Sequence, residues 1–231
     1  MEEKPVDAGT VQRHFDALAA DYDRIKRKNR YYYDLLQKSI AATIPPGRRV
    51  LEIGTATGEI LRMLSPSLGV GIDLSAGMIE IARRKYPQYR FEACSFETFE
   101  PRAGEAFDFI VLSDVIEHVA SHESLFLHLK RLCAPGTRVV LTMANPRWEP
   151  LLELLEKWNL KMEEGPHNRI SESEVRGLAR SHGLRVESFD RSALLPVRVP
   201  LVSAFLNSAV APLPVFNSLA LISKFTLSSE A

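Results

Sequence analysis

Three stretches of the 231-residue chain combine residue types and spacings that suit chemistry. The first is Glu52-Ile-Gly54-Thr55-Ala56-Thr-Gly58, an acid followed by two glycines. It stands between an apolar run (Val50, Leu51, Ile53) and the helical pattern Glu59–Leu64. A strand that stops at glycine and restarts as a helix is a ligand turn. Glycine admits sharp bends and close approach, and a helix start offers free N–H groups. The second is Asp73, which closes the next apolar run, Val70–Ile72. An ionised carboxylate is a pure acceptor and can take both hydroxyls of a ribose. The third is Ser113-Asp114-Val115-Ile-Glu-His118, after the strand pattern Phe107–Leu112. A neutral imidazole near physiological pH can take the proton of a hydroxyl or amine nucleophile. His118 is the expected base, with Asp114 assisting.

The glycine spacing narrows the ligand. A dinucleotide fingerprint needs G-x-G-x-x-G, and from Gly54 the second position is Ala56 and the third Glu59. A phosphate-binding loop needs Gly-Lys followed by Ser or Thr, which the chain lacks. Tyr22-x-x-x-Lys26 mimics a dehydrogenase pair, yet it precedes the first strand and is set aside. His118 and His122, with Glu117 and Glu123 beside them, invite a metal reading. Ser121 is expected to start a new helix between them, so no metal is assigned.

These groups need elements to hold them. Residues 11–42 read as one or two helices, after a frayed tail over 1–10 and before Pro45-Pro46-Gly47. Strand patterns follow at 50–53, 70–73, 89–93, 107–112 and 138–143. Helical patterns alternate with them, one capped by Ser75 and stopped at Pro87, another over 121–132. The spacing fits βαβ units, hence a parallel sheet with helices on both faces and ligands at the C-terminal strand edge. Beyond Asn145-Pro146, a helix is expected over 148–160 and a second behind the capping box Ser171–Glu174. Strands are expected at 184–189 and 219–225, and Trp148 and Trp158 are expected in the core.

Composition restricts the function classes. Lys plus Arg equals Asp plus Glu, 29 each, so no global basic field points to nucleic acid. Cys94 and Cys133 lie in apolar segments and read as buried thiols of a reducing compartment. The polar N-terminus carries no signal-peptide pattern. A cytoplasmic chain is expected. From Val199 to Ser223 no residue is charged, although prolines and asparagines there argue against a membrane span. The segment 199–218 reads as a substrate-side insertion, a dimer surface, or a contact with lipid that would make the chain membrane-peripheral.

Val50–Gly58 resembles the first motif of class I S-adenosylmethionine-dependent methyltransferases. Gly71-Ile-Asp-Leu-Ser75 with Met78, Phe107–His118, Leu132–Thr137 and Tyr22-Asp23 match later motifs in the same order, over roughly residues 11–145. The branch resembled is the small-molecule, ubiquinone-biosynthesis-like (type 11) one. The resemblance implies an α/β, Rossmann-like, doubly wound seven-stranded sheet, mostly parallel with an antiparallel last strand. It implies one domain, 1–231: a helical lid over 1–45, a cofactor core over 46–145, and substrate-side insertions with the last strands over 146–231.

The implied cofactor is S-adenosyl-L-methionine, and the implied partner is a small-molecule methyl acceptor; the uncharged 199–218 stretch points to a lipid-linked acceptor, and the basic and aromatic Lys26–Tyr33 cluster, otherwise a partly solvated helix face, to an anionic or sugar-containing one. Cofactor contacts are expected from Tyr22, Glu52, Gly54, Thr55, Ala56, Gly58, Asp73, Leu74, Met78, Ser113 and Val115. The acid that usually ends the third strand is absent from Ala93-Cys94-Ser95-Phe96, so Ser95 and Phe96 are expected to serve the adenine. Substrate contacts are expected from Arg30, Tyr31, Tyr32, His167 and Arg169. The rival functions are a non-catalytic cofactor-binding or partner protein on the same fold and, from the failed glycine spacing less favoured, a nicotinamide-dependent oxidoreductase.

Overall fold

The computed structural model describes residues 6–148, 167–199 and 202–229. Seven strands form one sheet in the order β3-β2-β1-β4-β5-β7-β6. They are β1 (Arg49–Ile53), β2 (Leu68–Asp73), β3 (Arg90–Ala93), β4 (Phe109–Ser113), β5 (Arg138–Ala144), β6 (Leu184–Ser192) and β7 (Ile222–Ser229). β1 to β5 pair in parallel, while β7 runs antiparallel to both β5 and β6. The order reverses between β1 and β4, so the ligand crevice of such sheets opens there.

Side chains alternate across the central strands, as the pleat requires. Leu51, Ile110, Leu112, Val139 and Leu141 pack on one face against α6 (His122–Leu132) and α7 (Glu172–Ser181). Val50, Phe109, Val111 and Val140 pack on the other, against α3 (Arg30–Ala41), α4 (Glu59–Leu64) and α5 (Ala76–Lys85). Several helices start where a side chain satisfies an early N–H. Ser75 accepts from Met78, Ser121 from Ser124, and Ser171 forms the expected capping box with Glu174.

Several boundaries differ from expectation. The N-terminal tail is shorter, because Asp7 caps α1 (Ala8–Leu18) by accepting from Thr10 N–H. Tyr22 and Asp23 open a separate helix, α2 (Tyr22–Lys26), rather than ending α1. β4 begins at Phe109, since the Asp108 carboxylate takes the Arg49 N–H and guanidinium instead. Residues 219–221 form a turn held by Leu219 N–H on Phe216 O, and β7 starts at Ile222. Trp148 is not core: it is partly exposed and donates its indole N–H to Leu219 O. The rest of the expected 148–160 helix, with Trp158, lies outside the described residues. Cys94 and Cys133 are unpaired thiols, each partly rather than fully buried. Among the described residues, no helix is long and apolar enough to cross a membrane.

Candidate active site

The turn after β1 is held by backbone geometry. Gly54 has φ +72°, and a Cβ there would stand 2.3 Å from Val115 Cγ2. Gly54 and Thr55 donate their N–H groups to Ile72 O at 2.8 and 3.0 Å, tying the turn to β2. Gly58, at φ +82°, precedes α4 against Phe91 and Tyr86. Ala56 is also left-handed, at φ +46°. That conformation costs a non-glycine residue roughly 1 kcal/mol. The bend turns the Ala56 N–H onto Asp73 Oδ2 at 2.8 Å, while Ser75 N–H donates to Oδ1 at 2.9 Å. Asp73 is therefore fixed by one N–H on each oxygen and keeps lone pairs for further donors. Burial raises its carboxyl above the usual range, and the two N–H bonds oppose that rise.

Two adjoining cavities meet at this turn. One, of about 130 Å³, is lined by Asp73, Leu74, Met78, Ser95, Phe96 and Val115. The other, of about 410 Å³, is lined by Glu52, Thr55, Tyr32 and His167. Tyr22, Gly54, Ala56, Ser113, Asp114 and His118 line both. Gly58, Arg30, Tyr31 and Arg169 line neither. Gly58 shapes the turn, Arg30 is exposed beside Asp34, Tyr31 accepts from Asn207, and Arg169 is exposed.

The lid is clasped over the turn by charged and hydroxyl groups. Asp16 of α1 accepts from Ser75 Oγ at 2.5 Å and Gly77 N–H at 3.2 Å. Asp23 of α2 accepts from Thr57 Oγ1 at 2.7 Å and Lys85 Nζ at 2.8 Å. Glu59 joins the same network through Lys85 and Tyr86. Although burial works against it, those hydrogen bonds hold the Glu59 carboxyl down to about 2. Tyr22 is buried between the cavities. Burial and the facing Asp73 and Asp114 push its phenol far above its ordinary value. Lys26 Nζ sits over the Tyr22 and Tyr33 rings, 4.8 and 4.2 Å from their centroids.

The strand edge beyond β4 carries Asp114 and His118. Asp114 is left-handed at φ +53°. Its carboxylate accepts from Tyr32 Oη at 2.9 Å and Thr142 Oγ1 at 3.1 Å. Asp114 thus joins α3 to β5. His118 closes the short 3₁₀ turn Ile116–His118. Its ring meets Phe15 edge-on at 5.4 Å and His167 at 4.9 Å. Asn168 N–H donates to Glu117 O at 2.7 Å, which brings the His167 segment to this edge. His122 starts α6 and places Nε2 3.0 Å from Ile116 O, away from His118. Among the described residues, no three His, Cys, Asp or Glu side chains cluster as metal ligands.

Glu52 is buried, and its carboxyl is pushed up to about 8 by that burial. The hydrogen bond from Thr55 Oγ1, 2.7 Å, opposes the shift. Sequence reasoning did not find Asp16 or Phe15 as parts of the site, and it read Thr57 only as a link of the glycine turn. Phe15 and Asp16 lie in a helical pattern, and their roles depend on α1 folding back over β2. Pro196, Val197 and Leu221, which line the larger cavity, were also missed.

A family model described as a methyltransferase domain matches residues 23–188. The chain is 30% identical over 155 residues to a biotin biosynthesis bifunctional protein of Cellvibrio japonicus, covering 66% of the chain and 30% of that protein. It is 33% identical over 105 residues to a trans-aconitate 2-methyltransferase of Paracidovorax citrulli, covering 44% of the chain and 40% of that protein. The matches thus span less than half the length of either relative. The fold superposes on magnesium protoporphyrin IX methyltransferase from Synechocystis PCC 6803, crystallised with S-adenosylmethionine, with TM-score 0.67, 15% identity and full coverage of both chains. With the family match spanning well over half of its length, the chain belongs to the class I S-adenosylmethionine-dependent methyltransferases.

Proposed function

We propose that the chain transfers a methyl group from S-adenosylmethionine to an O or N nucleophile of a small molecule that carries an apolar part. The observation that carries this reading is the pair of joined cavities, with Asp73 at one end, the glycine turn at the junction and His118 beside it. The residues present fit the donor. Asp73 keeps acceptor capacity for two ribose hydroxyls, and Met78 and Phe96 offer apolar walls for the adenine, with Ser95 between β3 and that wall. Lys26 supplies a cation near Glu52 and the turn for the donor's carboxylate.

The bound donor supplies an electrophilic methyl group on its sulfonium. The protein's task is alignment, and orientation alone is worth several kcal/mol in such displacements. Neutral His118 takes the proton from the acceptor's O–H or N–H as the nucleophile attacks. His167 and Phe15 both pack against the imidazole and fix its orientation. Asp114 is a positioning residue: with Tyr32 and Thr142 on its oxygens, it fixes the β4 edge. Buried Tyr22 keeps water from the junction. The chain acts in the cytoplasm, with the uncharged 199–218 segment on its acceptor side. Reduced Cys94 and Cys133 and the absence of charge from Val199 to Ser223 support these placements.

The test combines calorimetry with S-adenosylhomocysteine and transfer of tritiated methyl to a panel of hydroxylated and amine acceptors. His118→Ala is expected to lose about 10²- to 10⁴-fold in turnover, the usual worth of a general base. Its affinity for S-adenosylhomocysteine is expected to stay within threefold of the original. Full turnover in the variant would remove His118 as the base. Absence of S-adenosylhomocysteine binding by the unaltered chain would overturn the reading and favour a partner protein on this fold.

A further inference from the structure

We infer that the methyl acceptor is an amphiphile whose hydrocarbon chain leaves the larger cavity between Pro196, Val197 and Leu221 and lies along the apolar face of the β6–β7 connection. This rests on the methyl-transfer reading and names the substrate class of that same site.

Sheet order sets the direction. Along the C-terminal edge, the strands run β1, β4, β5, β7. The glycine turn follows β1, His118 follows β4, Ala144 ends β5, and Leu221 immediately precedes antiparallel β7. Neighbouring strands lie about 4.8 Å apart, so these positions span about 14 Å in one line. All four lie on the wall of the 410 Å³ cavity. The wall changes character along that line. Near β1 and β4 it is Glu52, Asp114 and His118; at β5 the Glu117 carboxylate accepts from Ala144 N–H, and beyond it stand Leu221, Pro196 and Val197. A polar head at His118 therefore directs whatever follows it toward an apolar exit.

The exit continues outside. Val197 is 56% exposed at the mouth. Beyond it Val199, Val202, Phe205, Leu213, Val215 and Phe216 all face outward, with Phe205 at 61% and Val215 at 76%. Seven large apolar side chains exposed between residues 197 and 216 exceed the scattered single exposures ordinary on a monomer's surface, although the exposed Arg198 stands among them. Several backbone groups beneath are satisfied by nearby side chains. Asn207 accepts from Leu195 N–H and donates to Leu195 O. Ser203 accepts from Val199 N–H and donates to Val197 O. Asn217 donates to Arg191 O and Ala211 O. Asn145 donates to Ser218 O and Ala220 O. Polar groups turned inward beneath apolar groups turned outward are what a surface facing hydrocarbon requires.

The test uses butyl, octyl and dodecyl esters of 4-hydroxybenzoic acid below their micelle concentrations, titrated calorimetrically into the chain saturated with S-adenosylhomocysteine. Affinity is expected to rise about threefold per added methylene. Val197→Asp is expected to weaken the dodecyl ester at least tenfold and leave the butyl ester within twofold. Phe205→Ser, farther along the face, is expected to weaken only the dodecyl ester, by about threefold. A flat chain-length series with S-adenosylhomocysteine still bound would overturn the amphiphile and leave methyl transfer standing. No S-adenosylhomocysteine binding would instead overturn methyl transfer itself. Flotation with phosphatidylcholine vesicles abolished by Phe205→Ser, beside a flat series, would give the face to a bilayer. A dimer abolished by Phe205→Ser, beside a flat series, would give it to a second copy. Either result overturns the proposal.

Discussion

The two ends of the joined cavities are built by different means. At the donor end, backbone conformation does the positioning. Gly54, Ala56 and Gly58 are all left-handed within five residues, and two N–H groups aim Asp73. Carboxylates of the lid then clasp the turn. At the acceptor end no comparable strained run exists among the described residues. There side-chain amides and hydroxyls, those of Asn207, Ser203, Asn217 and Asn145, hold an irregular segment with its apolar groups outward. A rigid turn suits a ligand that never changes. A segment tied by exchangeable side-chain bonds lets the acceptor vary between relatives without disturbing the donor site.

The sharpest break in that contrast would come at Gly54. Gly54→Ala places a Cβ 2.3 Å from Val115 Cγ2 and holds it at φ +72°. The conformation alone costs about 1–2 kcal/mol, and the displaced Val115 carries the β4 edge with it. Affinity for S-adenosylhomocysteine, read by calorimetry, is expected to fall at least a hundredfold. A loss below threefold would mean that backbone strain does not govern the donor end.

That same contrast explains what the sequence disclosed. The donor end was legible because its constraints are local: Gly54, Asp73 and the Ser75 cap each sit at the end of a strand with the next helix close behind. The β1 to β5 order and the capping box at Ser171 were readable for the same reason. The clasp from Asp16 to Ser75 was not, since it joins positions 59 residues apart and depends on how α1 folds back. The acceptor end was read only as an absence of charge. Residues 219–221 alternate like a strand but turn, because Trp148 and Asn145 take their carbonyls. Tyr32 and His167 line the larger cavity, whereas Arg30, Tyr31 and Arg169, grouped with them by sequence proximity, do not.

Glu52 offers a smaller test of the donor end, through pH. Its carboxyl stands near 8 in the fold and at 4.5 in the open chain. Between those values the folded state keeps a proton that the unfolded chain has released. Stability is therefore fully present below pH 4.5 and declines as pH rises toward 8. Glu59 has the opposite sign: its stabilisation is present above 4.5 and fades as pH falls toward 2. Glu52→Gln removes the first effect and retains an acceptor for Thr55. The variant is expected to match the original at pH 5 and to exceed it by about 3–4 kcal/mol at pH 8, read as melting temperature against pH. Parallel curves would mean that Glu52 is solvated or ionised in the fold.

The smallest effect on the donor is expected from the acceptor end. Asn207→Ala removes the partners of Leu195 N–H and Leu195 O, and releases the 3.3 Å contact with Tyr31 Oη. Leaving such groups without partners costs about 1–3 kcal/mol, and here the cost falls on a segment that can open locally. Limited proteolysis between residues 193 and 221 is expected to quicken at least fivefold. S-adenosylhomocysteine affinity is expected to stay within twofold, because none of the severed bonds reaches the glycine turn. Tyr31 makes this outcome informative. It sits on α3 beside Tyr32, whose hydroxyl holds Asp114 at the junction of the cavities. If donor affinity fell together with the proteolytic protection, α3 would be transmitting strain from one end to the other, and the two ends would be one mechanical unit.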